Sequence, residues 1–158
     1  MDISEKDLAK AQETFDNLCA MLNEDDWKYS KEEDLVVRFS AQGDDIPMDF
    51  IIVVDPNPGL VCLYSMLPFN IADEKIVDAA IAACAINSRL KNGSFDLDIS
   101  DGSIKFRLAQ AYFDSAIGKE VFQYMVYVSA HTVDEYNDKF MMLSKGALSI
   151  NDFLATLN

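Results

Sequence analysis

Residues 94–113 read SFDLDISDGSIKFRLAQAYF, and the fold turns on how this stretch is read. Asp96, Asp98 and Ser100 fall at the first, third and fifth places of a calcium loop. Such a loop also needs glycine at place six and a bidentate glutamate at place twelve. Asp101 and Arg107 stand there instead, so a cation occupies a ligand's place. A hairpin accounts for the same residues. Phe95, Leu97 and Ile99 alternate with Asp96, Asp98 and Ser100; Ile104, Phe106 and Leu108 alternate with Lys105 and Arg107. Period two marks half-buried strands. Asp101-Gly102 supplies the positive φ angles of a two-residue turn. That turn pairs Ile99 with Ile104, Leu97 with Phe106 and Phe95 with Leu108. It also sets Asp98 against Lys105 and Asp96 against Arg107, each contact stabilising by about 0.2–1 kcal/mol.

Toward the N-terminus, three strands are expected. DLVVRFSA alternates around Leu35, Val37 and Phe39. PMDFIIVVD carries Met48, Phe50, Ile52 and Val54 on one face, with Ile51 and Val53 apolar on the other. GLVCLYSML is apolar on both faces. The short turns QGDDIP and DPNPG between them favour an antiparallel meander. Before the strands, Ser4 is an N-cap, and Leu8, Ala11, Phe15, Leu18, Cys19 and Leu22 recur at helical spacing over residues 4–23. The acidic stretch NEDDWKYSKEED reads as a connection, with Trp27 and Tyr29 attached to the core edge. A second helix starts near Asn70 or Asp73 and runs toward Gly93. After the hairpin, a third helix presents Val121, Met125, Val128, Thr132, Tyr136, Phe140 and Leu143 and stops at Gly146. Ser149 caps a last short helix holding Phe153, Leu154 and Leu157. The expected class is α+β: α-β-β-β-α-β-β-α, a mostly antiparallel five-stranded sheet packed with helices, as a single domain over residues 1–158.

The charge balance narrows the partners. Thirteen Lys and Arg oppose 27 Asp and Glu among 158 residues, a net of −14. Nucleic acid and anionic membrane surfaces both call for clustered cations, so neither is an expected partner. FIIVV and AAIAACAI are too short to span a bilayer. MDISEKDLAK lacks the apolar core of a signal peptide, and Cys19, Cys62 and Cys84 are odd in number with no C-x-x-C. Cytoplasmic residence is the expectation.

Catalytic motifs are weak. His131 is the sole histidine, in SAHTVDEY, with Asp134 and Glu135 one helical turn on. No G-x-S-x-G elbow accompanies it. One histidine and three scattered cysteines make no zinc spacing, and no glycine-rich phosphate loop is present. The acids Asp44-Asp45 and Glu24-Asp25-Asp26 read as solvated loops. No cofactor is expected.

The element order, the small acidic chain and the segment FDLDISDGSIKFR, a strand, a D-G turn and a strand ending in arginine, resemble the YbjN-domain family. The resemblance spans residues 5–145. That family is similar in fold to type III secretion chaperones. The resemblance implies a sheet backed by helices, frequent homodimers and binding in place of catalysis, and it offers no catalytic residues. Two function classes stand on this sequence. One is a non-enzymatic chaperone-like or adaptor module that holds an apolar or amphipathic segment of a partner protein, with a regulatory role open. The other is an enzyme with an acid-based small-molecule site. A domain whose only partner is itself is the third possibility. For a homodimer, the second helix supplies the expected contact through Ile76, Ala79, Ala80, Ala83, Cys84 and Asn87, because it is apolar on more sides than a sheet requires.

Overall fold

In a computed structural model, which describes residues 3–157, one antiparallel sheet carries all the helices on one face. Helix α1 (Glu5–Glu24) leads into strands β1 (Tyr29–Glu33), β2 (Val36–Ala41), β3 (Met48–Asp55) and β4 (Leu60–Asn70). A 3-10 turn (Asp73–Lys75) and helix α2 (Ile76–Asn87) follow. Then come β5 (Ser94–Leu97), β6 (Ser103–Ala111), α3 (Lys119–Ser144) and α4 (Ile150–Ala155). The strand order is β1-β2-β3-β4-β6-β5, so β1 and β5 are the two edges.

The α+β class and the antiparallel sheet agree with the sequence, but the sheet has six strands, not five. The additional one is β1, inside the stretch read as a connection. YSKEE has no buried residue to betray it: Ser30 to Glu33 are all exposed, and the strand is held by pairing with β2. Helix α2 is also shorter than the span expected from Asn70 or Asp73 toward Gly93. Asn70 still belongs to β4, and the helix ends at Asn87.

Period-two alternation sorts the strands. Val37, Ile52, Leu63 and Leu108 form one buried row across the sheet. Phe39, Phe50, Ser65, Phe106 and Phe95 form the next. Ser65 is the small member, on the strand over which α3 crosses. Phe95 meets Phe106, Tyr136 and Phe140 at 5.2–6.0 Å between ring centroids, and Phe140 continues to Phe153 of α4. Aromatic pairs at such spacings add about 0.5–1.5 kcal/mol each beyond area burial. Two helix N-termini are capped as expected: Ser4 Oγ accepts from the Asp7 amide and Ser149 Oγ from the Asp152 amide, both at 3.1 Å. Gly146 closes α3 with φ +72°.

The 94–113 stretch is a hairpin, but its register differs from the two-residue turn. Phe95 pairs with Phe106, Asp96 with Lys105 and Leu97 with Ile104. The slip is two residues, so every side chain keeps its face. A longer loop replaces the tight turn because its acids bind their own backbone. Asp98 Oδ1 accepts from the Ser100 amide (2.9 Å) and hydroxyl (2.6 Å), and Asp101 Oδ1 accepts from the Ser103 amide (2.8 Å). Ile99, expected in the ladder, is left 72% exposed. Gly102 does take positive φ, +73°, and its carbonyl accepts from the Ile71 amide at 2.7 Å. The Ser100 hydroxyl, then its amide, hold the Asp98 carboxyl below the usual range. Asp98 lies on the surface, so paired thermal melts of wild type and Asp98→Asn should nearly superimpose.

Candidate interaction surface

The helices leave one whole face of the sheet uncovered. Its central row is Val36, Val53, Cys62 and Ala109 on four adjacent strands, apolar throughout. The neighbouring row is Arg38, Ile51, Tyr64 and Arg107. The apolar members are half-buried only by one another, on strands that are central in the sheet. Strands with one wet face ordinarily put polar residues there, so an apolar band on this side is the departure that needs a reason.

The band's charges are paired locally. Arg38 Nη1 bonds Asp49 Oδ2 at 3.0 Å, and Arg107 Nε bonds Asp96 Oδ2 at 2.7 Å. The Asp96 bond raises the Arg107 pKa above its ordinary value. Lys105 Nζ lies 5.5 Å from the centre of the Tyr64 ring, and burial pushes the Tyr64 phenol up.

A second apolar surface lies on α2. Val77 (70% exposed) and Ile81 (45%) project outward with Ala80 and Cys84. A groove of about 530 Å³ separates this helix from β5; Ala80, Ala83, Cys84, Phe95, Leu97 and Ile99 line it. The six residues expected at a dimer contact do not share one environment. Ala80 and Cys84 are exposed and Ile76 is half-buried, whereas Ala79 and Ala83 pack into the core. Asn87 is half-buried, and its side-chain amide is bonded to the Phe95 backbone. The outward residues Val77 and Ile81 are the larger apolar contributors. Their helical positions distinguish them only once the buried face is known.

The polar candidates are dispersed. His131 is exposed on α3, beside Asp134, Glu135 and Asp138 and across from Asp44 and Asp45. Asp134 holds the facing loop, because its Oδ1 accepts from the Asp44 amide at 2.9 Å. Among the described residues, no three His, Cys, Asp or Glu side chains are gathered to hold a metal ion. Cys19 is buried, Cys62 half-buried and Cys84 exposed, all as free thiols. Melting curves taken with a chelator or with a reductant should therefore superimpose on the untreated curve. A drop of several degrees with chelator would reveal a metal-dependent fold. No helix among the described residues is long and apolar enough to cross a membrane.

Known proteins give the frame for these surfaces. A family model described as "YbjN: Putative bacterial sensory transduction regulator" matches residues 14–141. The crystal structure of YbjN from E. coli superposes with a TM-score of 0.58 at 13% identity, covering 77% of this chain and 87% of that one. A chain of the HopA1-SchA chaperone-effector complex superposes with a TM-score of 0.52 at 8% identity, covering 78% and 93%. No curated protein sequence matches the chain. At these identities the structural likenesses establish a shared fold.

Proposed function

The chain belongs to the YbjN family, and from that premise we propose that it is a non-enzymatic protein-binding module, chaperone-like or adaptor in kind, serving regulation in the cytoplasm as one domain. Its occupant is an apolar or amphipathic segment of a partner protein, laid on the uncovered face of the sheet. The observation that carries this reading is the row Val36, Val53, Cys62 and Ala109, apolar across four adjacent strands with no helix over it. Contiguous apolar surface on a soluble protein usually marks an interaction site. The likeness to a chaperone-effector complex supports the same class of job.

Immobilised wild-type protein should retain a stoichiometric protein from extract of its own cells, and a Val53→Asp bait should retain at least about tenfold less, as for loss of a central contact. A Val121→Asp bait, altered on the outer face of α3, should behave as wild type. Equal retention by all three would sink the sheet-face reading. Recovery of a small metabolite and no protein would favour an acid-based enzyme instead.

We also propose a homodimer through the outer surface of α2. Val77, Ala80, Ile81 and Cys84 support it as a patch separate from the sheet face, leaving that face free for a partner in each protomer.

A further inference from the structure

The two edges of the sheet are protected by different means. Strand β1 carries exposed Lys31, Glu32 and Glu33, with a register shift between Lys31 and Glu33. Charges and irregularities of this kind discourage another strand from adding. Strand β5 has no such freedom. Phe95 and Leu97 must turn toward the helices, which leaves Asp96 as its single charge. Its pairing geometry leaves backbone groups facing outward. Asp98 N–H donates to the Ser103 carbonyl, and ladder bonds alternate along an antiparallel pair. Phe95 and Leu97 therefore direct their N–H and C=O away from β6.

At Phe95 both outward groups are occupied. Asn87 Oδ1 accepts from the Phe95 N–H at 2.8 Å, and Asn87 Nδ2 donates to the Phe95 carbonyl at 3.0 Å. One primary amide thus gives this residue the acceptor and the donor that a neighbouring strand would give. Aspartate would supply the acceptor and lack the donor. A glutamine would carry the same groups one methylene farther out. Asn87 is the last residue of α2, so the helix length sets the amide at the strand edge.

We propose that Asn87 is a built-in strand surrogate that closes the β5 edge against addition of a second copy of this chain. Asp96 is the second barrier. Antiparallel self-pairing through Phe95 and Leu97 centres on Asp96, and it sets the Asp96 carboxylates of the two copies directly opposite each other. Like charges there are destabilising. With both barriers in place the sheet cannot grow at this end, and association is directed to faces. This device is independent of what the sheet face binds.

Two measurements test it. The Asn87→Ala/Asp96→Asn double variant should stay folded by circular dichroism yet at least double its light-scattering mass relative to wild type as concentration rises. Asp96→Asn alone should keep the wild-type mass. In Asn87→Ala the Phe95 amide should exchange with solvent roughly tenfold faster or more, the cost of one lost hydrogen bond, while β6 amides keep their protection. A folded double variant of wild-type mass at every concentration overturns the proposal, as does unchanged Phe95 protection in Asn87→Ala. Should the double variant fail to fold, Asn87→Ser/Asp96→Asn takes its place and is read in the same way: a mass that at least doubles supports the closed edge, and a constant wild-type mass overturns it.

Discussion

Replacing Gly102 with valine should cost about 4 kcal/mol, the upper range for a single substitution, and lower the melting temperature by roughly 10 °C. Two independent causes add. Gly102 has φ +73°, a region that a β-branched residue occupies only with strain. A Cβ there would also lie 2.3 Å from the Ile71 carbonyl oxygen and 3.1 Å from its nitrogen. These are backbone atoms that cannot swing aside, and they belong to the same contact in which the Ile71 amide bonds the Gly102 carbonyl. Gly146 separates the causes. It has nearly the same φ, +72°, and a Cβ added there would meet nothing within 4 Å. Gly146→Val should therefore show only the backbone strain, about 1–2 kcal/mol. Equal melting temperatures for the two variants would mean that the hairpin loop does not dock on Ile71.

The native mass in solution should be about twice 17.7 kDa, and Ile81→Glu should halve it. Two protomers of net −14 repel, so their contact must be apolar at its centre. Val77, Ala80, Ile81 and Cys84 provide such a centre, and the dimer should persist at high salt, where charge repulsion is screened. Val77 and Ile81 are the positions to alter, because they face outward. Ala83 is 5% exposed, and a glutamate there would disturb the core as well as any contact. Light scattering at low micromolar concentration decides between the two states. A wild-type mass near 17.7 kDa ends the dimer proposal; a dimer indifferent to Ile81→Glu moves its contact off α2.

The elements with strong periodicity were legible from sequence. Val37 and Phe39, the Met48 to Val54 series, and most of the α1 and α3 stripes fall on the buried side as their spacing requires; Leu8 and Val121, in the first turn of each helix, are exposed instead, and Val128 is half-buried. What escaped has physical causes. Strand β1 makes no side-chain contribution to the core beyond Tyr29, so its pairing leaves no apolar signature. The hairpin register depended on competition between a tight turn and local bonds from Asp98 and Asp101, with Ile71, distant in sequence, tipping the balance. Apolar residues on both faces of β3 and β4 were visible as a pattern. Which face the helices would leave open was decided only by three-dimensional packing. In α2 the uniform apolar character hid the distinction between Ala79 and Ala83, which pack inward, and Val77 and Ile81, which do not. Asn87 gave no signal of its bond to β5: its partner is the backbone of Phe95, and backbone groups are the same in every sequence.

Cys62 offers the most direct test of the binding reading, because it sits in the middle of the uncovered row between Val53 and Ala109. With Cys19 and Cys84 replaced by serine, a photoactivatable crosslinker can be attached to Cys62 alone and irradiated in extract of the source cells. A matched label at position 131, on the exposed surface of α3, serves as control. One dominant protein adduct is expected at position 62, absent at position 131 and lost when Val53→Asp is introduced. Labelling at 62 that yields only the diffuse background seen at 131 would contradict binding on the sheet face.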